Sequence, residues 1–250
     1  MRVLDLFSGL GGFSAAFSDR GHSVTTIDLD YRFNPTYCRD IGQIQNLEDD
    51  PTQNLRLGRF DVILASPPCE TFSVASAYLH WKGGKPVTTR AHEGIKLALH
   101  AKRLIEEANP RFYAIENPVG NMRRIFGRPQ ATIDQCAYGR VFKKPTDLWG
   151  NLPPSFKPMR CKGKECGHYR TTKKENGWTK GDINGRHVRQ KGVMDAAYQK
   201  VWNSPEWEKA WQTAGNGSGL GDVIRVSAAR ALIPYGLSLA MCEASERDLP

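Results

Sequence analysis

The stretch Val3-Leu4-Asp5-Leu6-Phe7-Ser8-Gly9-Leu10-Gly11-Gly12-Phe13 decides the fold, because an apolar run passes directly into a glycine-rich turn. The run predicts a first strand over residues 3–7, and the glycines predict a loop. Residues 13–19 continue with a helical pattern that Gly21 ends, and residues 23–27 predict a second strand. The chain therefore opens with a βαβ unit.

Two further apolar runs predict strands at residues 60–65 and 112–115, on either side of a helical pattern over residues 91–108. Asn109-Pro110 ends that helix, because a residue before proline disfavours the helical conformation. Strands that alternate with helices indicate a mostly parallel sheet, so we expect an α/β fold. A chain of 250 residues is long enough for one such domain and a small additional lobe.

The composition favours a nucleic-acid partner and disfavours a membrane. There are 35 Lys and Arg against 26 Asp and Glu, a formal charge of +9 that suits a polyanionic partner. The six cysteines show no regular disulfide framework, so we expect a cytoplasmic protein. No stretch reaches the roughly 18 apolar residues of a membrane span, and Met1 runs into a strand without room for a signal peptide.

Composition also divides the chain into three regions. Residues 1–150 carry the alternating strands and helices and form the predicted catalytic domain. Residues 151–220 begin with a stretch rich in Lys, Arg, Gly and Pro and poor in aliphatics, which we interpret as a basic target-recognition region. Residues 221–250 are predicted to pack back on the catalytic domain through a helix over 227–243 that Pro234 interrupts.

A candidate nucleophile follows the strand predicted at residues 60–65, in the turn Ser66-Pro67-Pro68-Cys69-Glu70-Thr71-Phe72-Ser73. The two prolines fix the backbone and remove donors, so the chain must leave the sheet and hold Cys69 over the carboxyl end of the strand. Open α/β sheets bind their ligands at this end. The alternative is a buried structural cysteine, which is the commoner role of a free cysteine.

A candidate acid, Glu116, follows the apolar run at residues 112–115. A carboxyl group at such a strand end is partly removed from water, which raises its pKa and keeps a proton available for catalysis. The alternative is an ordinary surface or helix-capping acid.

Three segments together resemble the cytosine-C5 DNA methyltransferase family: the glycine-rich stretch, Ser-Pro-Pro-Cys at 66–69, and Glu116-Asn117-Pro118. They occur in the order of that family, and the resemblance covers about residues 1–150. It implies a Rossmann-like S-adenosylmethionine-dependent methyltransferase domain with a small inserted target-recognition region. The chain would be a small prokaryotic or phage-type member, working in the cytoplasm of a prokaryotic cell or of a virus-infected host.

The resemblance also implies a site for S-adenosylmethionine. An acid at the end of the second strand suits ribose hydroxyls, and Asp28 fits this role better than Asp30, which we expect to be solvated. The residues that would contact the cofactor are Phe7, Gly9, Leu10, Asp28, Asp40, Ile41 and Pro68.

The implied reaction is transfer of a methyl group to C5 of a cytosine flipped out of double-stranded DNA. The Cys69 thiolate adds at C6 while protonated Glu116 hydrogen-bonds N3, and loss of the C5 proton later expels Cys69. The long, basic and aromatic segment at residues 71–89 is expected to close over DNA, with a plain surface loop as the alternative.

The chain departs from the pattern of the family at several positions. Ala16 stands where a further glycine is usual, Glu70 where glutamine is usual, and Pro118 where valine is usual. We expect the Glu70 side chain to point away from the thiol, because its charge would raise the pKa of the nucleophile. The Arg-x-Arg that follows later in the family is missing, which leaves Arg140 or Lys144 as candidates for its role.

The basic region contains possible zinc ligands. The candidates are Cys161, Cys166 and His168, with His187 as a fourth. Their spacing is not that of a standard zinc finger, so free thiols in a DNA-facing loop stay the alternative. Phosphate contacts are expected from the cations of this region, which are Arg160, Lys162, Lys164, Arg170, Lys173, Lys174, Lys180, Arg186, Arg189 and Lys191.

Two other functions compete with DNA methylation. A small basic enzyme with this core suits a cytosine already unstacked in an RNA loop. A degenerate homologue that binds nucleic acid without turnover is the second alternative, because the Arg-x-Arg is missing. We expect a monomer, and a connection with restriction-modification follows from the resemblance alone. The recognition sequence cannot be read from the residues.

Overall fold

The computed structural model describes residues 1–140, 143–163 and 231–249. The strands in these ranges are β1 Arg2–Leu6, β2 Ser23–Asp28, β3 Tyr37–Cys38, β4 Asp49–Asp50, β5 Leu55–Arg56, β6 Val62–Ala65, β7 Trp81–Lys82, β8 Lys85–Pro86, β9 Phe112–Pro118, β10 Ala131–Asp134 and β11 Pro145–Trp149. The helices in these ranges are α1 Ala15–Asp19, α2 Ala77–His80, α3 Thr89–Ala108, α4 Arg123–Phe126 and α5 Tyr235–Asp248.

A seven-stranded sheet forms the centre of the molecule, in the order β10-β11-β9-β6-β1-β2-β3. Strands β3, β2, β1, β6 and β9 run parallel, while β11 and β10 run antiparallel to their neighbours. The α/β prediction is confirmed, and the architecture is Rossmann-like. The two antiparallel strands extend the sheet on the side of β9, the strand that carries Glu116.

The central strands are buried on both faces, because successive residues contribute to two separate cores. In β6, Ile63 and Ala65 belong to the core on the α3 side of the sheet, and Val62 and Leu64 belong to the core on the α1 and α5 side. Phe17 of α1 is fully buried in the second core. Full burial of such a side chain stabilises the fold by about 1.5–3 kcal/mol.

Helix α3 has a defined beginning and end. The Thr88 hydroxyl accepts a hydrogen bond from the Ala91 N–H at 3.2 Å, which caps the first turn. Asn109 adopts a left-handed conformation with φ of 45° at the other end, directly before Pro110. The predicted helix over 91–108 is therefore present and begins two residues earlier, at Thr89.

Other predicted boundaries differ by a few residues, and one difference concerns the site. The first helix begins at Ala15 instead of Phe13, and the strand predicted from Phe60 begins at Val62. Strand β9 continues to Pro118, so Glu116 lies inside the strand and not after it. The antiparallel partner β11, which pairs Leu148 with Glu116, extends β9 beyond the end that the apolar run predicted.

The C-terminal helix α5 packs against α1 and is joined to it by polar contacts. The Ser238 hydroxyl donates to the Phe13 carbonyl at 2.7 Å and accepts from the Ala16 N–H at 3.0 Å. Glu246 pairs with Arg20 at 2.7 Å and with His22 at 2.9 Å. The helix was predicted over 227–243; it follows Pro234 and ends at Asp248, and residues 227–230 lie outside the described ranges.

His22, Cys242 and Glu246 are three potential metal ligands that lie within 4.8 Å of one another. The hydrogen bonds to Arg20 and His22 already engage both carboxylate oxygens of Glu246. The three residues therefore connect the segment before β2 to α5 through hydrogen bonds and ion pairs, which accounts for their proximity without a metal ion.

The predicted loop over residues 71–89 is folded into helix α2 and the β7–β8 hairpin. Trp81 is 7% exposed, its ring lies 6.5 Å from that of Phe72, and its indole N–H donates to the Thr71 carbonyl at 2.7 Å. The expectation of an open loop with aromatic side chains facing DNA is wrong for Trp81, which anchors the segment in the core. Tyr78, at 72% exposed, stays available on its surface.

The beginning of the basic region is attached to the catalytic core. Arg160 donates to Asp134 at 2.8 Å, and the Ser155 hydroxyl donates to Asp248 at 2.6 Å. Arg160 therefore makes an ion pair within the protein while 57% of its side chain stays exposed, and its role as a phosphate contact stays a prediction. Residues 164–230 lie outside the description, and the domain boundaries stay predictions. Among the described residues, no helix is long and apolar enough to cross a membrane.

Candidate active site

The candidate site lies at the carboxyl edge of the parallel strands. Strands β1, β2, β6 and β9 all end at this edge, because they run in the same direction. The loop after β1 brings the glycines, the end of β2 brings Asp28, the turn after β6 brings Cys69, and β9 brings Glu116. The structure thus gathers the predicted catalytic and cofactor residues at one edge of the sheet.

The glycine loop turns through left-handed backbone. Gly9 has φ of 50° and Gly11 has φ of 71°, and a Cβ built on either meets no atom of the described residues within 4 Å. Phe7 also has a positive φ, 57°, which is uncommon for an aromatic residue and costs about 1–3 kcal/mol. Strain of this kind concentrates at ligand sites, and the space above the two glycines is open.

Asp28 is positioned by backbone donors at the end of β2. Its Oδ2 accepts from the Gly9 N–H at 2.8 Å and its Oδ1 accepts from the Asp30 N–H at 2.9 Å. Burial raises the pKa of Asp28, while these two hydrogen bonds oppose the rise. Asp30 instead pairs with Arg32, whose guanidinium lowers the pKa of Asp30. An open cleft beside Asp28 is lined by residues 29–32.

The other predicted cofactor residues differ in their exposure. Asp40 accepts the Gly42 N–H at 2.9 Å and begins a short 3-10 turn, and Ile41 packs in the core at 3% exposed. Leu10 is buried at 9% exposed, and Pro68 is exposed. Asp40 follows β3, which pairs with the end of β2, so it lies along the same edge as Asp28.

A buried acid lies beneath the glycine loop and was not predicted from the sequence. Asp5 of β1 is 1% exposed and accepts a hydrogen bond from the Ser14 hydroxyl at 2.7 Å. Burial raises its pKa from 3.8 to about 7, and the nearby charge of Asp28 contributes to the rise. In the described part of the chain, its second oxygen has no hydrogen-bond partner. The apolar run of β1 gave no signal that its one acid lies in the core and beneath the glycine loop.

Neighbouring loops hold the turn that carries Cys69. The Asn117 side-chain amide donates to the Pro67 carbonyl at 2.9 Å, and the Asn121 N–H donates to the Phe72 carbonyl at 2.8 Å. A Cβ built on Gly120 would lie 2.2 Å from that Phe72 oxygen, so the two loops approach as closely as they do only because this residue is glycine. The positions of nucleophile and acid are therefore coupled through backbone and amide contacts.

Glu116 is buried, at 4% exposed. Its Oε1 accepts from the Gln135 side-chain amide at 3.3 Å and lies 3.9 Å from the Lys144 ammonium. Burial raises the pKa of Glu116, while the charges of Lys144 and Arg140 lower it. The raised pKa was expected, but the expected cause was a position at the strand end, whereas β11 and its neighbours enclose the group.

Burial also dominates the state of Cys69. It raises the pKa of the thiol, the Lys144 charge lowers it, and the Glu116 charge raises it again. Glu70 is exposed and pairs with Arg90 at the surface, as its expected orientation away from the thiol requires. Lys144 is thus the cation that acts on both the nucleophile and the acid.

Two buried side-chain oxygens beside Glu116 have no hydrogen-bond partner in the described residues. They are the Asn117 side-chain carbonyl and the Gln135 side-chain carbonyl. Leaving such atoms unpaired costs about 1–3 kcal/mol each, so a site that contains them suits a polar ligand that pairs with them. Gln135 was not predicted as a site residue, because it follows β10 and reaches Glu116 only through the fold.

The zinc candidates are only partly described. The Cys161 sulfur accepts from the Gly163 N–H at 3.4 Å, and the Cys161 N–H donates to Asp134 at 3.0 Å. Cys166, His168 and His187 lie outside the described residues. The zinc hypothesis therefore stays a prediction.

A mostly parallel sheet, a glycine-rich first loop and an acid after the second strand define the Rossmann-like methyltransferase class. Comparison with known proteins narrows this class. A family model for "C-5 cytosine-specific DNA methylase" matches residues 1–125. The chain belongs to this family.

Three relatives illustrate the family. The chain is 34% identical over 173 residues to a "Probable DNA (cytosine-5)-methyltransferase" of frog virus 3, covering 66% of this chain and 77% of the viral protein. It is 27% identical over 144 residues to "Type II methyltransferase M1.HphI" of Haemophilus parahaemolyticus, covering 54% of this chain and 37% of that protein. It is 28% identical over 85 residues to a "tRNA (cytosine(38)-C(5))-methyltransferase" of Spodoptera frugiperda, covering 31% and 26%.

Proposed function

We propose that the chain is a DNA (cytosine-5)-methyltransferase that acts on a cytosine flipped out of double-stranded DNA. The observation that carries this proposal is the arrangement of Cys69, in the turn after β6, and Glu116, in the adjacent parallel strand β9, with Asn117 joining the two segments. Membership in the family supports the reaction class. The chain spans little more than a third of the bacterial relative, so its activity is inferred from the site.

Cys69 is proposed as the nucleophile. C5 of cytosine is too electron-poor to accept a methyl group until a nucleophile adds at C6. The thiolate forms an S–C6 bond, the π electrons move toward C5 and the N3–C4 side of the ring, and C5 becomes nucleophilic. After the methyl transfer, loss of the C5 proton restores the double bond and expels the Cys69 thiolate.

Glu116 is proposed as the acid that stabilises the adduct at N3. A carboxyl group must be protonated to donate this hydrogen bond, and burial favours its protonated form. The unpaired Asn117 and Gln135 side-chain oxygens nearby suit the polar edge of a pyrimidine. A base reaches this enclosed position only when it leaves the helix, which supports base flipping.

S-adenosylmethionine is proposed as the methyl donor, and it supplies a sulfonium-bound methyl group. The open space above Gly9 and Gly11 leaves room for a ligand at the loop. The Asp28 carboxylate has lone pairs left for ribose hydroxyls, and the residues that follow it, 29–32, line an open cleft. Phe7, Leu10, Asp40, Ile41 and Pro68 stay proposed contacts.

Exposed groups near the Cys69 turn suit nucleic acid. Lys82 and Lys85 are exposed on the β7–β8 hairpin, and the Arg124 guanidinium lies against Gly84 of the same hairpin. Exposed apolar side chains accompany them, with Tyr78 and Leu79 at 72% and 56% exposed. Cations for phosphates beside apolar groups for bases are the combination that binds unstacked nucleic acid. A monomer in the cytoplasm stays the expectation.

RNA is the second candidate substrate. It is favoured by one observation, the likeness to a relative named for a tRNA cytosine. An RNA loop presents an unstacked cytosine, so the same site needs less distortion of its substrate. A binding protein without turnover is the third reading, although both Cys69 and Glu116 are present.

Methyl transfer from labelled S-adenosylmethionine tests the proposal. The full chain is incubated with duplex DNA or with tRNA, and the nucleosides are then separated. Label in 5-methyldeoxycytidine is the expected result. Label only in 5-methylcytidine of the RNA assigns the second candidate, and absence of label from both assigns the binding protein. A duplex with 5-fluorocytosine should also trap the protein covalently in the presence of methyl donor. Release of Cys69 requires loss of the C5 proton, and a base cannot remove fluorine from C5 in the same way.

A further inference from the structure

We infer that Lys144 is a positioning residue that allows Cys69 to become a thiolate by passing its proton to another group of the site, without any change in the net charge of the site. This inference rests on the proposed function, because it explains how the thiolate and the carboxylic acid exist together. The Lys144 ammonium lies 3.9 Å from Glu116 Oε1, and the two side chains are 17% and 5% exposed.

The chemistry requires Cys69 and Glu116 to have the reverse of the protonation states that a free thiol and a free carboxyl group have in neutral water. Cys69 must lose its proton and Glu116 must carry one, although a free thiol has a pKa near 8.5 and a free carboxyl group a pKa near 4.3. Burial makes the thiolate more costly still, because any uncompensated charge in this enclosed site loses its hydration. A nearby cation is therefore needed to stabilise the thiolate.

Lys144 makes the two states compatible. Cys69, Glu116 and Lys144 together carry two protons and no net charge in each of three arrangements. The group that lacks its proton holds the vacancy. When Glu116 lacks its proton, it forms an ion pair with Lys144. When Lys144 lacks its proton, all three groups are neutral. When Cys69 lacks its proton, a thiolate lies beside an ammonium and a carboxylic acid. Only the third arrangement is reactive.

Activation is then an internal proton transfer. Either the S–H bond of Cys69 breaks and an O–H bond forms on Glu116, or the proton moves from the Cys69 sulfur to the Lys144 amine. No proton enters from solvent and the net charge of the site stays zero, so the thiolate is never buried without a nearby cation. A base that pairs its N3 with protonated Glu116 excludes the first arrangement, because only a protonated acid can donate to N3, and the missing proton is then shared between Cys69 and Lys144.

The other charges that face this group are fixed. Arg140 lies near Glu116 and Lys144, where its charge favours a carboxylate on Glu116 and a neutral amine on Lys144, so it stabilises the first two arrangements relative to the third. Asp147 opposes Arg140 at Glu116 and is held by two hydrogen bonds from Arg123, at 2.6 and 2.7 Å. The charge of Glu70 also acts on Cys69, but the Glu70 side chain is exposed and paired with Arg90. The vacancy is therefore shared by the three named groups alone among the described residues.

Peptide-resolved alkylation of Cys69 tests the inference without any methylation assay. The full chain is treated with iodoacetamide between pH 6 and pH 10, and the modified Cys69 peptide is quantified by mass spectrometry. Lys144→Met should lower the rate at pH 7.5 by about tenfold or more and move the midpoint to higher pH, because one unit of thiol pKa is tenfold in thiolate. Lys144→Arg should restore the rate to within about threefold, since it keeps the cation.

Glu116→Gln gives an independent readout of opposite sign. A glutamine cannot lose a proton, so the proton must be missing from Lys144 or Cys69, and the rate of Cys69 alkylation should rise. The double variant Lys144→Met with Glu116→Gln should lose that gain. Lys143→Met, one residue away, is the control and should leave the profile unchanged.

Two outcomes would overturn the inference. One is a folded Lys144→Met protein with the wild-type profile, where folding is verified by thermal unfolding. The other is a Glu116→Gln protein whose alkylation is unchanged or slower, which decides the matter even if Lys144→Met fails to fold. Because neither readout uses DNA or methyl donor, failure of the proposed function leaves this test intact.

Discussion

The two halves of the carboxyl edge differ in whether backbone or ionisable side chains form their ligand sites. The half at β1 and β2 shapes its ligand space with backbone: left-handed residues at Phe7, Gly9 and Gly11, and one carboxylate, Asp28, held by two N–H groups. The half at β6, β9 and β11 uses buried ionisable side chains, with Glu116 and Lys144 in contact beside Cys69. The first half is suited to holding a cofactor and the second to chemistry, so substitutions in them should affect different kinetic constants.

The largest effect is expected at the nucleophile. Cys69→Ser replaces a thiol by a hydroxyl whose deprotonation is far more costly, so no adduct forms at C6 and turnover should fall by about 10⁴-fold or more. The affinity for S-adenosylmethionine, measured by calorimetry, should stay within about threefold, because the residue belongs to the chemical half. A variant with substantial turnover would mean that methyl transfer proceeds without Cys69.

The acid should follow with a smaller loss. Glu116→Gln keeps the size of the side chain but removes the ionisable proton, and kcat should fall by about 10²- to 10⁴-fold. In the wild-type protein, burial raises the pKa of Glu116, so its contribution as an acid is present at low pH and declines as pH rises through that raised value. The pH profile of single-turnover rates measures this limb, which should be missing in the variant. A variant that keeps the alkaline decline would assign the titration to another group.

Asp5 is an ionisable group beneath the backbone-built half, and it should affect stability more than chemistry. Its pKa is raised from 3.8 to about 7, so the folded state keeps the proton that the unfolded chain loses above pH 4. The contribution of this proton to the free energy of unfolding is fully present below the unfolded pKa and is lost as pH rises toward 7. The total decrease in the free energy of unfolding approaches about 4 kcal/mol, since a shift of one pKa unit corresponds to 1.36 kcal/mol.

Asp5→Asn should remove this dependence, because an amide has no carboxyl proton to lose. Urea unfolding at pH 5, 6.5 and 8 should give a wild-type free energy of unfolding that decreases with pH more steeply than that of the variant. Parallel curves for the two proteins would show that Asp5 titrates normally in the fold. Asp61→Asn is a matched control beside the same sheet, because Asp61 is partly exposed and accepts the Arg2 N–H at 2.7 Å, so the same change of carboxyl to amide is made outside the core.

The sequence predicted the part of this edge that depends on order along the chain. Alternating strands and helices indicate a parallel sheet, and a parallel sheet places every strand end at one edge, so Asp28, Cys69 and Glu116 could be assigned together. Side-chain pairs across the antiparallel extension could not be predicted in the same way. Lys144 reaches Glu116 because β11 pairs with β9 in a register that no local pattern encodes.

Contacts that form only in the fold could not be predicted from composition. The segment at residues 71–89, which contains Trp81, was expected to close over DNA, but the Trp81 indole is buried and its N–H donates to the Thr71 carbonyl. Arg160 was expected to contact phosphate, and the structure adds an ion pair with the buried carboxylate of Asp134 while 57% of the Arg160 side chain stays exposed. In both cases composition identified a basic or aromatic segment, and tertiary contacts decided what its members bind within the protein.

The smallest of the expected effects separates the two acids that follow β2. Asp28→Ala removes the carboxylate that the Gly9 N–H and the Asp30 N–H hold in place, so affinity for S-adenosylmethionine should fall by about 10- to 100-fold, while kcat at saturating cofactor changes by less than about threefold. Asp30→Ala removes only an acid already paired with Arg32, and its affinity should change by less than about threefold. Titration calorimetry on both variants measures the difference. If Asp30→Ala weakened binding as much as Asp28→Ala, the ribose contact would belong to the pair, and if Asp28→Ala lowered kcat instead, the backbone-built half would take part in the chemistry.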